Sequence, residues 1–279
     1  MHAPNQISLA AKASGEPEFR EIGLGPWSET HPGEPRPDDP TSSNYDGRFD
    51  SVLLNDGDRR NVLDRYRYWT VAAIKADLDA RGRHDFEVAV ENWTHDFNIG
   101  SMVRTANAFQ AKRVHIVGPQ KGNRKGALMT ELYQHVEHHP SIAELVESWH
   151  HRIAGEIAYE RAKAAIHAHD VAVDGDNKHL HELLAEIDAC DARIKELQAA
   201  RVIALDIIPG AVPMEAYAFP KRCLLLFGAE GPGLSEKALA LADDVVYISQ
   251  FGSVRSINAG AAAAVAMHAW IAQHAVSGV

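Results

Sequence analysis

The chain has 279 residues, of which 46% are hydrophobic, with a formal net charge of −10 and two cysteines. That length and apolar content support one generous domain or two small ones with a true core. The distant pair Cys190 and Cys223 excludes a disulfide framework, and no stretch is long and apolar enough to span a bilayer, so a soluble cytoplasmic protein is expected. The acidity argues at first against a phosphate-rich partner. It is concentrated, however: residues 1–50 hold 4 basic and 9 acidic residues and residues 148–200 hold 6 and 10, leaving the rest nearly neutral. Within that remainder Arg59, Arg60, Arg65, Arg67, Lys112, Arg113, Lys121, Arg124 and Lys125 leave room for a local basic face.

Residues 1–50 carry seven of the thirteen prolines and little hydrophobic periodicity, which predicts an extended or partly disordered arm. Residues 51–85 form a helical segment in which Val62, Tyr66, Trp69, Ala73 and Leu78 follow roughly helical spacing. The arginines near its start read either as the solvated face of a docked helix or as an RNA contact interleaved with aromatics. From residue 86 to 279 one α/β domain is expected. The short apolar runs Phe86–Val90, Val114–Val117, Val202–Leu205, Cys223–Phe227 and Val245–Ile248 alternate with helical segments, the order of a mainly parallel sheet. A helical hairpin at about 150–200 interrupts it: Leu183, Ile187, Cys190, Ile194 and Leu197 step by four and three as a coiled-coil seam does, and residues 173–177 supply the turn.

Three polar, glycine-containing loops follow such strands: Asn98-Ile-Gly-Ser-Met-Val-Arg104, Phe227-Gly-Ala-Glu-Gly-Pro-Gly-Leu-Ser235 and Gly252-Ser-Val-Arg-Ser-Ile-Asn258. In parallel sheets ligands bind beyond the carboxyl ends of the strands, so the three loops predict one composite site. The last runs into an Ala-rich helix, apolar on nearly every face and therefore expected to be buried, whose first turn aims backbone N–H groups at a ligand. The second loop lacks the Gly-Lys-Ser/Thr of a phosphate-binding P-loop and the Gly-x-Gly-x-x-Gly of a dinucleotide fold, which disfavours nucleotide hydrolysis and hydride transfer. The histidines His135, His138, His139, His150 and His151 complete no recognised metal spacing and are read as structural or solvent-exposed.

Taken jointly and in this order, Asn-x-Gly-x-x-x-Arg, Phe-Gly-x-Glu-Gly-x-Gly-Leu-Ser and Gly-x-Val-x-Ser-Ile-Asn resemble the three signature motifs of the SpoU (TrmH-like) family of RNA ribose 2′-O-methyltransferases, within the SPOUT superfamily. The resemblance covers about residues 86–147 and 201–275. It implies a C-terminal deep trefoil knot, a homodimer, S-adenosyl-L-methionine as methyl donor and no metal. It further implies that Asn98, Arg104, Glu230, Ser256 and Asn258 form the catalytic side, and that groups near Gly228, Gly231, Ile248, Gln250, Gly252 and Ile257 hold the donor. The implied substrate is RNA, with tRNA guanosine ribose ahead of ribosomal RNA. A non-catalytic RNA-binding or assembly protein with the same fold is the alternative. The chain departs from the family pattern in having Ser249-Gln250 where many members have Pro-Met, and in the long acidic hairpin.

Overall fold

The computed structural model describes residues 5–16, 22–93, 98–119, 126–173, 179–229 and 231–275. The chain divides into two compact units, Met1–Ile74 and Lys75–Val279. Among the described residues no helix is long and apolar enough to cross a membrane.

The first unit contains the short helices α1 (Gln6–Ala13), α2 (Trp27–Thr30) and α3 (Ser51–Asp56). Its core is a small aromatic cluster of Trp27, Leu54 and Tyr68 with Phe49 packed against it, so residues within the stretch 1–50 supply two of its rings. A buried carboxylate organises the surrounding loops. Asp58 is fully buried and accepts hydrogen bonds from Arg60 Nε and Nη2 and from the Tyr68 backbone N–H, at 2.8 to 2.9 Å. Tyr68 sits at φ 62°, a region costly for a bulky side chain. Its N–H bond to Asp58 and its hydroxyl, which donates to the Gly25 carbonyl at 2.6 Å, hold it there. Arg67 is spent in the same way, donating to the Arg60 carbonyl at 2.7 Å. Of the arginines considered for RNA contact, Arg60 and Arg67 thus serve the fold, while Arg59 and Arg65 are exposed. Lys121, Arg124 and Lys125 lie outside the described residues.

Helix α4 (Val71–Ala80) carries the chain into the second unit. There the strands β1 (His84–Glu91), β2 (Ala111–Val117), β3 (Val136–His139), β4 (Arg201–Leu205), β5 (Val212–Pro213), β6 (Cys223–Phe227) and β7 (Asp244–Tyr247) form one sheet in the order β3-β2-β1-β6-β4-β7-β5. Every pairing is parallel. The five strands expected from apolar runs are present. β3 and β5 were not expected, because three of the first one's four residues are polar and the second is two residues long and ends in proline.

Side chains alternate across the sheet and define two cores. On one face Phe86, Val88, Val90, Val114, Leu225 and Phe227 pack against helix α5 (Asn98–Ala108) and helix α9 (Ala259–His274). In α9 the stripe Ala263, Ala266, Met267 and Trp270 follows helical spacing and is buried; Val265 on the other side is 43% exposed, so the helix is covered on one face rather than all round. Trp270 also donates its indole N–H to the Pro220 carbonyl at 3.1 Å.

On the opposite face Ala89, Val117, Val202, Ala204, Leu224 and Leu226 meet helix α6 (Ile142–Val173), the end of helix α7 (Leu180–Gln198) and helix α8 (Glu236–Leu241). The first turns of α6 bury Ile142, Leu145, Val146, Trp149 and Ile153, spaced as an amphipathic crossover helix. Beyond them the helix runs on beside α7, with Glu156 near Arg193, and His167 Nε2 2.9 Å from Glu186. These pairs make the two helices antiparallel. Their expected seam is graded: Cys190 and Leu197 are buried, and Leu183, Ile187 and Ile194 half-buried. Of the turn expected at 173–177, Val173 ends α6 and residues 174–177 lie outside the described residues.

This second face also buries charge. Arg222 and Glu87, both fully buried, pair at 2.7 Å, and Arg222 also reaches Glu156 at 3.1 Å. Arg193 joins Asp85 and Glu156 from α7. Burial opposes ionisation of Glu87, but a hydrogen bond from His115 and the charge of Arg222 outweigh it and hold the carboxyl well below its usual range.

Candidate functional site

The site lies where the parallel topology places it, at the carboxyl ends of β4, β6 and β7. A cavity of about 470 Å³ is lined by Leu205 and Asp206 after β4, by the loop after β6, by Tyr247 and Ile248 at the end of β7, and by residues 255–259 entering α9. That volume is typical of a small-molecule or cofactor site.

The loop after β6 closes tightly on itself. A Cβ added to Gly228 would stand 2.0 Å from the carbonyl carbon of Gly233, so no other residue fits there. Gly231 and Gly233 have φ of 96° and 74°, which favours glycine as well. Two carboxylates outside the loop fasten its far end. Asp206 Oδ2 accepts from Leu234 N–H at 3.2 Å. Glu91, at the end of β1 and almost fully buried, accepts from the Ser235 N–H at 2.7 Å and the Ser235 hydroxyl at 2.8 Å. Ser235 in turn caps α8 by accepting from Ala238 N–H. The result is a rigid rim of backbone groups facing the cavity.

Asn258 is the N-cap of α9, its side-chain oxygen accepting from Ala261 N–H at 3.1 Å. Its amide nitrogen donates to Asn98 Oδ1 at 3.0 Å, joining the first and third motifs across 160 residues. The helix starts can meet because Gly260 is there: a Cβ at that position would press on Asn258 Oδ1 at 3.2 Å and Asn98 Oδ1 at 3.4 Å.

Of the expected donor-holding residues, Gly228, Gly231, Ile248, Gln250 and Ile257 line the cavity, and Gly252 does not. Ser256 and Asn258 line it, and Asn98 reaches it through Asn258. Arg104 is exposed on the second turn of α5 and is not among the lining residues. Glu230 lies outside the described residues. Ser249 donates its hydroxyl to Glu215 at 2.9 Å, whereas the Gln250 side-chain oxygen is buried without a hydrogen-bond partner. An unpaired acceptor at a cavity wall and a glycine rim suit a ligand that carries both hydrogen-bond donors and acceptors.

Sequence reasoning missed Glu91, Asp206 and Arg255, all of which build or line this site. Glu91 and Asp206 each sit at the carboxyl end of a strand, the one signal that could have singled them out.

Residues 159–268 match the SpoU rRNA Methylase family. The tRNA (guanosine(18)-2'-O)-methyltransferase of Saccharomyces cerevisiae is 31% identical over 107 residues, which are 38% of this chain and 8% of that one. The Escherichia coli K12 enzyme of the same name is 22% identical over 192 residues, 69% of this chain and 65% of the other. The solved structure of the SpoU methyltransferase AviRb from Streptomyces viridochromogenes in complex with AdoMet has 21% sequence identity and a TM-score of 0.45, over 68% of this chain and 58% of that one. The chain thus spans less than two thirds of the length of each of these relatives.

Proposed function

We propose that this chain, whose residues 159–268 match the SpoU rRNA Methylase family, is a member of it and an S-adenosyl-L-methionine-dependent enzyme that methylates a ribose 2′-hydroxyl of RNA. The observation that carries the reading is the cavity at the strand ends, where the glycine rim of the second motif meets an α9 cap tied to the first motif. S-adenosyl-L-methionine, when bound, supplies an activated methyl group on a sulfonium. The residues present fit it: backbone groups at Gly228, Ile248 and Ile257 and the unpaired Gln250 oxygen would hold its polar parts.

The chain's own task is then alignment and proton management. Arg104 orients the ribose hydroxyl or a neighbouring phosphate, for which its exposure on α5 suits it. A guanidinium with a pKa above about 12 is a poor base, so the hydroxyl proton passes more readily to an RNA phosphate that Arg104 holds in place. Asn258 and Asn98 fix the start of α9, and with it Ser256, beside the reacting groups. Glu230, which precedes Gly231 in the second motif, is assigned to the catalytic side with them by the same resemblance.

The finer assignments follow the same resemblance. The substrate is tRNA, at a guanosine ribose, supported by the names of the relatives above, with ribosomal RNA as the alternative. The active form is a cytoplasmic homodimer, to which the uncovered side of α9 around Val265 gives an apolar surface. The C-terminal segment forms a trefoil knot, and the outer parts of α6 and α7 are an addition to the family core.

The test is methyl transfer from labelled S-adenosyl-L-methionine to purified tRNA and, separately, ribosomal RNA, followed by nucleoside analysis. A 2′-O-methylated nucleoside in one pool fixes the substrate class. No label in either pool, with donor binding measured calorimetrically, would favour the non-catalytic RNA-binding alternative. Arg104→Ala is expected to lower turnover by at least about a hundredfold while leaving the donor Kd within about twofold. Retained turnover would remove Arg104 from the mechanism.

A further inference from the structure

On the α6 side of the sheet, away from the cavity at the ends of β4, β6 and β7, two adjacent strands bring three metal-ligating side chains together. The β2–β3 register sets His115 opposite Glu137, and His139 follows two residues later on the same face. His115 Nδ1 lies 3.0 Å from His139 Nε2 and 3.5 Å from Glu137 Oε2, and His139 Nε2 lies 3.7 Å from the same carboxylate oxygen. Three ligands on a tetrahedral ion with bonds of about 2.0–2.1 Å stand about 3.3–3.4 Å apart. The observed triangle brackets that value.

We propose that His115, Glu137 and His139 bind a divalent transition-metal ion of the zinc type, independently of methyl transfer. Zinc suits two imidazoles and a carboxylate better than magnesium or calcium, which prefer all-oxygen sites.

The surroundings are those of a supported metal ligand. The Nε2 of His115 is 2.7 Å from Glu87 Oε2, which takes its proton in a hydrogen bond and leaves the Nδ1 lone pair directed at the cluster. His115 is fully buried and His139 nearly so. In the metal-free protein one proton bridges His115 Nδ1 and His139 Nε2, and a bound ion displaces it. A cavity of about 340 Å³, lined by Trp93, Gly118, Pro119, His138, His139 and Pro140, borders the cluster at His139.

Two arginines compete for the same carboxylate. Arg113 Nε lies 2.9 Å from Glu137 Oε1 and can stay there when an ion takes the other oxygen. Arg152 Nη1, 3.3 Å from Glu137 Oε2, must give way, and its side chain is 26% exposed and has room to do so. His138 points to the other side of β3, as its place between Glu137 and His139 requires. The expectation of no metal weighed His139 without His115, whose contribution depends on strand register and is invisible in spacing along the chain.

The test uses chelator-treated full-length protein. Co2+ is expected to give the strong visible d–d absorption of a four-coordinate ion, saturating at one equivalent and displaced by Zn2+. Glu137→Gln and His139→Gln should each abolish that band, and Zn2+ should raise the Tm of the unsubstituted protein but not theirs. Glu137 is about one third exposed, so its amide is expected to fold, as checked by metal-free melting. Should either variant fail to fold, Arg152→Gln decides, with an expected Zn2+ Kd at least about threefold lower through removal of the competing charge. No band in the unsubstituted protein, an unchanged band in the folded variants, or an unchanged Kd in Arg152→Gln would overturn the proposal.

Discussion

The tightest steric constraint on the site rests on a single hydrogen atom, the side chain of Gly228. With 2.0 Å between an added Cβ and the Gly233 carbonyl carbon, Gly228→Ala must open the rim of the cavity, although both cores of the sheet lie elsewhere. Loss of measurable donor binding is expected by calorimetry, with a far-UV spectrum close to that of the parent. Retained binding would show that the rim is not part of the donor site. Asp58 plays the comparable part in the first unit. Removing the charge from this buried pair by Asp58→Asn is expected to cost about 3–5 kcal/mol in urea unfolding. Burial opposes its ionisation, but bonds from Arg60 and the Tyr68 N–H prevail and lower its pKa. Its contribution is therefore complete above the unfolded value of about 3.9 and is lost as pH falls through the lower folded one. The unsubstituted protein should lose stability between pH 5 and pH 2 more steeply than Asp58→Asn does.

At the scale of elements, α6 and α7 are two structures in one. Their roots belong to the core, through Trp149, Ile153 and Leu197 and through Glu156 and Arg193, which share the ion network of Asp85 and Arg222. Their outer parts are mostly exposed. Replacing residues 168–185 by a short turn, so that the chain crosses beside the His167–Glu186 pair, is expected to leave Tm within a few degrees. Removing 153–197 takes Glu156 from Arg222 and Arg193 from Asp85, together with Ile153 and Leu197 of the core, and should give an insoluble or unfolded product; a stable product would show that these contacts contribute little. Differential scanning calorimetry of the two deletions separates these cases. The helix that enters the hairpin expected at about 150–200 starts at Ile142, and the pattern of Ile142, Leu145, Val146, Trp149 and Ile153 continues into the exposed part without a break signal. Strands were legible where both faces are apolar, as in Cys223–Phe227. β3 was not, because Glu137 and His139 face a polar network whose other members stand in β1 and β2.

For the molecule as a whole, the three loops were legible as one site because each follows a strand in a parallel sheet, and the cavity and the Asn98–Asn258 bond join parts of all three. What fastens them was hidden. Glu91 and Asp206 are single charged residues next to apolar runs, and their partners Ser235 and Leu234 lie 144 and 28 residues away. A sequence carries no local sign of such pairings, since they depend on strand order. Arg222 and Glu87 escaped notice for the same reason.

The bond between Asn98 and Asn258 also has a meaning in time. The seven strands of the described residues are complete by Tyr247, yet the cap of α9 and its share of one sheet face come only from Asn258 onward. During synthesis a chain that reaches only β7 therefore holds a sheet whose one apolar side is covered by α5 alone, and no finished cavity. In refolding from urea, far-UV signal is expected to recover before donor-dependent fluorescence, and a chain ending after Gln250 should recover neither a cooperative melt nor donor binding. On the proposed function, competence thus arrives only with α9, and a chain stopped before it would neither hold the donor nor act on RNA.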